Sequence, residues 1–158
     1  MINFKEYFQK NDNMKEEKGD IQKTLSRLPV NHAVLVKNYK WTFHGGNTLN
    51  GDDNHVGYVD DRNKEIAVAA PWNYGREFTI LHEVGHKVWE KFVQPNEDLV
   101  LLWNKIVKIM TPEQKKDKSL QQEPEEIFCM VYAQKYAKNK MEKFNNPLWE
   151  KFVNNLPD

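Results

Sequence analysis

An α+β fold is predicted for this chain of 158 residues by three features of its sequence. Short runs rich in Val, Tyr, Trp and Phe, with turn clusters between them, fill positions 32–70. A segment with helical spacing, apolar on two sides, follows at 78–93. Beyond it come segments that carry helix start signals and apolar faces, with no further strand pattern. The expected architecture is one domain spanning 1–158: a small, mostly antiparallel sheet, then a central helix, then a helical C-terminal half.

Taken in order, the chain opens with a short apolar pattern (Ile2, Phe4, Tyr7, Phe8) and a charged run to Lys18, read as a short helix and a mobile connector over 1–18. Asp20 can cap a helix over 21–28, with Ile21, Leu25 and Leu28 on one face and Pro29 ending it. Residues 32–43 read as a strand, closed by the loop His44-Gly45-Gly46-Asn47. Strands over 56–59 and 65–70, joined by Asp60-Asp61-Arg62-Asn63-Lys64, form a hairpin signal. The second of these strands could line a cleft and pair with an extended peptide by strand addition, or could be an ordinary half-buried strand. Gln94-Pro95 breaks the central helix. Asn96, with Glu97 and Asp98 behind it, starts the next, whose apolar set is Leu99, Val100, Leu102, Trp103, Ile106, Val107 and Met110. Thr111-Pro112-Glu113 is a further start, leading into a Lys-rich solvated stretch. A helix opens at Pro124 and runs to about 139, and Asn146-Pro147 starts a last one with Leu148, Trp149, Phe152, Val153 and Leu156 on one face.

Composition narrows the function classes. The 23 basic and 23 acidic residues balance, and no basic block stands out, which argues against a nucleic-acid partner. The single Cys129 excludes an intrachain disulfide framework and a Cys-rich metal site. No run approaches membrane-spanning length and the first residues hold no apolar signal core, so the expected location is cytoplasmic, with no membrane association.

The chemistry sits in the central helix, at His82-Glu83-Val84-Gly85-His86. This H-E-x-x-H string arises by chance in about one such sequence in a hundred. On a helix, positions i and i+4 stack on one face, so the two imidazoles can aim at one point about 2 Å from each, as a zinc ion requires. Glu83 is turned partly away, where its carboxylate can reach a metal-bound water as general base. Phe78, Leu81, His82, Gly85, His86, Trp89, Phe92 and Val93 form one stripe; Ile80, Val84 and Val88 form a second. A helix apolar on both sides is buried, and buried histidines need partners. Gly85 costs about 1 kcal/mol against Ala inside a helix, which points to close approach of a neighbouring segment.

A catalytic zinc takes three protein ligands and keeps one position open. Candidates for the third are His32, His44, His55, Glu123, Glu125 and Glu126. Glu126 shares a helical face with Cys129, Met130, Ala133 and Ala137, whose small members allow tight packing on the motif helix. Glu125 lies about 100° away, beside a more polar surface. Glu126 is therefore the choice.

The motif, with the downstream helix Glu126-Ile127-Phe128-Cys129-Met130-Val131-Tyr132-Ala133, resembles the gluzincin metallopeptidases. Arg76-Glu77-Phe78-Thr79-Ile80-Leu81 and the motif look like the R-x-F-T-x-x-H-E-x-G-H string of the ImmA/IrrE family of regulatory proteases. Pro124-Glu125-Glu126-Ile127-Phe128 is similar to the P-x-E-x-F-A string of the anthrax lethal factor-like family, which includes Pro-Pro endopeptidases. The resemblance covers about 56–137 and implies a zincin-like fold. It also implies one catalytic zinc held by His82, His86 and Glu126, Glu83 as general base, and a peptide or protein substrate. Two departures stand out. No Tyr lies between His86 and Glu126 to stabilise an oxyanion, leaving Tyr74, His44 or His55 as substitutes, and Tyr132-Ala133-Gln134-Lys135-Tyr136 replaces the leucine-rich helix end of the ImmA/IrrE pattern. The expectation is a zinc-dependent endopeptidase; the alternative is a zincin-fold binding or structural module without turnover.

Overall fold

The computed structural model describes residues 14–44, 57–69 and 75–157. The apolar pattern at 2–8, the loops at 45–54 and the segment 71–74 lie outside the described residues.

The first helix, α1 (Met14–Ser26), takes in residues assigned above to a mobile connector. Lys, Glu and Met are good helix formers, so the charged run propagates the helix rather than interrupting it. Its inner side buries Ile21 and Thr24, and Leu28 just beyond it is buried too. The strand expected over 32–43 is mostly absent. Residues 30–36 form a short helix, α2 (Val30–Ala33), and a 3₁₀ turn (Val34–Val36); only Lys40–His44 is strand β1. The reason is tertiary. His32, 1% exposed, hydrogen-bonds through both ring nitrogens to distant residues, and these contacts override the β propensity of the valines around it.

Strands β2 (Gly57–Asp60) and β3 (Glu65–Ala69) form the expected hairpin, paired antiparallel from Gly57 opposite Val68 to Asp60 opposite Glu65. Its turn is fixed by the Asp60 carboxylate, which accepts from the Asn63 backbone and side-chain amides. β1 pairs with the other side of β3 and runs parallel to it, Lys40 opposite Glu65 and His44 opposite Ala69. The three-stranded sheet is thus mixed, in the order β1-β3-β2, and not mostly antiparallel. The order corrects a second expectation. β3 is central, its backbone bonded on both edges, so it has no free edge to offer a peptide.

The central helix, α3 (Arg76–Val88), continues through one π turn (Trp89–Val93) closed by the Gln94 amide on the Trp89 carbonyl at 2.8 Å. Most of both predicted stripes is inside: Phe78, Ile80, Leu81, Val84, Val88, Trp89 and Val93 are buried, while His82, His86 and Phe92 are half-buried. Then follow α4 (Glu97–Ile106), α5 (Pro112–Lys116), α6 (Pro124–Tyr136) and α7 (Pro147–Asn154). The start signals beyond residue 95 act as the sequence predicts, whereas Asp20, expected to cap a helix over 21–28, lies inside α1. Asn96 accepts from the Leu99 amide, Thr111 and Gln114 form a capping box, and Asn146 accepts from the Leu148 and Trp149 amides. On α4 the apolar face is narrower than expected: Trp103 and Ile106 are buried, but Leu102, counted on that face, is exposed.

α3 packs on the sheet and α1 on one side and on α6 on the other. Behind α6, an aromatic cluster of Trp89, Trp103, Phe128, Trp149 and Phe152 joins the C-terminal helices. Two of these indoles place their one donor on a helix carbonyl: Trp103 Nε1 on Pro124 (2.7 Å) and Trp149 Nε1 on Ile106 (3.1 Å). The first of these holds the opening turn of α6, next to Glu125 and Glu126. Among the described residues, no helix is long and apolar enough to cross a membrane.

Candidate functional site

The motif helix begins directly after Gly75, at φ 88° and ψ 155°, a backbone state that side chains with a Cβ disfavour. The chain can therefore turn sharply into α3. Nearly two turns in, His82 stands with His86 on the side of α3 that faces α6, their ring centroids 5.1 Å apart. Glu126 comes from the first turn of α6 and lies across both. Its Oε2 is 3.0 Å from His82 Nε2 and its Oε1 is 3.2 Å from His86 Nε2. Around a tetrahedral zinc with bonds of about 2.0–2.1 Å, neighbouring donors lie about 3.3 Å apart. Each Nε2 lies close to that spacing from one oxygen of the Glu126 carboxylate, and the chemistry of the set, two imidazoles and one carboxylate, is that of a zinc site. The residues fit the ion.

Burial by itself would push the Glu126 carboxyl up. The hydrogen bonds from His82 and His86 outweigh it and hold the group well below the usual carboxylate range. For His86, burial pulls the imidazolium down, and its contacts with Cys129, Glu125 and Glu126 outweigh that and hold it above the usual value. Glu83 is 2% exposed, on the part of α3 enclosed by the fold.

The two helices come close at Gly85. A Cβ built on Gly85 would lie 3.0 Å from Cys129 Cα and 3.2 Å from Cys129 Cβ. Only a glycine allows α6 this near, and the close approach is what brings Glu126, one turn back, within reach of both histidines. Cys129 is fully buried, with ligand atoms of His82, His86 and Cys129 within 4.8 Å of one another. Burial pushes its thiol up to about 12.

Of the other third-ligand candidates, His32 is remote in role. Its Nε2 donates to the Pro157 carbonyl (2.7 Å), so its Nδ1 accepts from the Tyr132 hydroxyl (3.0 Å). Glu123 precedes α6 and lines a cleft of about 450 Å³ with Trp89, Asn104, Lys108, Pro124 and Glu125. His55 and Tyr74 lie outside the described residues, as does the side chain of His44.

Two neighbours of the site escape a reading of the sequence. Glu125, set aside above as facing a polar surface, bonds His86 Nδ1 at 2.8 Å. The adjacency of two acids at a helix start was the available signal, since residues about 100° apart can reach opposite sides of one ring. Cys129 was read only as a small packing residue. A third contact ties the sheet to the motif: Lys87 Nζ bonds Asp61 in the hairpin turn (2.8 Å) and Glu90 (2.7 Å).

Comparison with protein-family models, with curated proteins and with solved structures finds no match for this chain.

Proposed function

We propose that the chain is a zinc-dependent endopeptidase, with His82, His86 and Glu126 as ligands and Glu83 as general base. One observation carries the reading: the Nε2 atoms of both motif histidines meet a single carboxylate from another helix at 3.0 and 3.2 Å. Zinc, when bound, lowers the pKa of a water molecule and polarises a peptide carbonyl. The chain's own residues do the rest. His82 and His86 present two neutral donors from one face of α3. Glu126 supplies the negative charge of a carboxylate. Glu83 follows His82, so its carboxylate lies to one side of the line of donors. There it takes a proton from the attacking water and passes it to the leaving amine. Its burial shields that proton transfer from bulk solvent.

The deciding experiment measures zinc per chain and peptide cleavage for wild type, His82→Ala, Glu126→Ala and Glu83→Gln. The reading expects about one zinc in wild type, most of it lost from the first two variants. Glu83→Gln should keep its zinc and lose at least about a hundredfold in rate, the usual scale for removing a general base. Cleavage by Glu83→Gln at the wild-type rate would refute the mechanism.

A second reading, a zinc-holding structural or binding module, is favoured by one feature. The buried Cys129 offers a fourth donor beside both histidines, and a closed shell leaves no place for water. It expects bound zinc with no hydrolysis of any peptide library, so cleavage that depends on Glu83 excludes it.

A further inference from the structure

We propose that Glu125 is a positioning residue, one that sets the tautomer and ring angle of His86 so that Nε2 presents its lone pair to the metal. The inference rests on the zinc reading above and adds to it a residue outside the ligand set.

The two nitrogens of an imidazole point away from each other. At His86, Nε2 faces Glu126 Oε1 at 3.2 Å and Nδ1 faces Glu125 Oε2 at 2.8 Å. The two consecutive glutamates thus hold opposite sides of one ring. A metal on Nε2 lies on the far side of the ring from Glu125, which leaves Glu125 out of its shell. A carboxylate only accepts, so without a metal each nitrogen carries a proton toward its own glutamate; a metal at Nε2 would take the place of that proton, while Glu125 keeps the other on Nδ1. Carboxylates behind metal-bound histidines fix orientation and raise ligand basicity in this way. The placement of Glu125 is itself secured. It sits in the first turn of α6, where the preceding carbonyl, Pro124, is held by Trp103 at 2.7 Å. Its side chain is 41% exposed at the edge of the cleft with Asn104 and Lys108, so its removal leaves the core intact.

The test is zinc affinity by competition with a chromophoric chelator, on the full chain, for wild type, Glu125→Ala and Glu125→Gln. Cobalt(II) absorption spectra and metal-free melting curves accompany it. Glu125→Ala should weaken zinc about ten- to a hundredfold and shift the cobalt bands. Glu125→Gln, whose amide oxygen still accepts from Nδ1–H, should recover most of the affinity and the wild-type spectrum. Metal-free melting should be nearly the same in all three. Both variants binding within about threefold of wild type would overturn the assignment, because second-shell losses are larger. So would equal loss in both, which would mark Glu125 as a ligand or a bare charge. A wild-type chain that takes up no zinc would instead overturn the metal reading, and this assignment with it.

Discussion

Gly85→Ala tests whether the closeness of two helices makes the site. The added Cβ would stand 3.0 Å from Cys129 Cα and 3.2 Å from Cys129 Cβ, where an ordinary contact between carbon atoms is about 3.5–4.0 Å. The nearest atom is backbone, in a helix whose start is held by Trp103 on the Pro124 carbonyl. The overlap of about 0.5–1.0 Å must therefore be relieved largely by moving α6 away from α3. Overpacking of this kind costs about 1–3 kcal/mol. Alanine recovers about 1 kcal/mol of helix propensity. The net loss is about 0–2 kcal/mol, or a fall in Tm of about 0–8 °C for a domain of this size. The metal should feel the change far more. Donor positions must hold to about 0.2 Å, and Glu126 sits one turn from the point of overlap. Chelator competition and urea unfolding of the metal-free protein separate the two effects. The expected result is a modest change in stability with zinc affinity down at least about tenfold, the scale of a disturbed ligand shell. Wild-type affinity in a folded Gly85→Ala protein would refute the argument that close approach at Gly85 sets the site.

Two further outcomes follow from other parts of the fold. His32→Ala removes a fully enclosed ring beside Phe92, Tyr132 and Tyr136 and strands the buried Tyr132 hydroxyl, so it should lower unfolding free energy by about 2–4 kcal/mol. Its zinc content should stay at the wild-type level, and loss of zinc from a still-folded variant would show that His32 does hold the metal. Asp61→Asn tests the tie between hairpin and motif helix. The hydrogen bonds from Lys87 and Tyr39 hold the Asp61 carboxyl below its ordinary value. A carboxyl whose folded pKa is lowered stabilises the fold above its unfolded pKa, about 3.9, and that contribution fades as pH falls through the lower, folded value. Asp61 is 54% exposed, so solvent screening limits the effect to about 0.5–1 kcal/mol. Thermal melts should show wild type ahead of Asp61→Asn at pH 7 and the gap narrowing as pH falls below about 3.9; a gap that grows in acid would reverse the assigned sign.

Local signals in the chain determined much of this protein. The helix start at Asn96, the capping box at Thr111, the cap at Asn146 and the hairpin turn after Asp60 all act through residues a few positions apart. The buried character of α3 followed from periodicity, and the close approach at Gly85 from the oddity of a glycine inside a helix. Glu126 was singled out for its place on the face of α6 with the small residues, and that face is the one the structure turns toward both histidines. What failed depended on partners far along the chain. Residues 32–36 look like strand because valines favour pleated surfaces, yet His32 finds Tyr132 and Pro157, 100 and 125 positions away, and the segment coils into helix and turn. The parallel pairing of β1 with β3, which closes the second edge of β3, needs a neighbour that no local pattern names. Glu125 behind His86 and Cys129 beside both rings have the same cause. Which face of α6 meets α3, and at what distance, is fixed by packing between helices, and one residue of rotation decides whether an acid lies across both histidines, behind one of them or toward water.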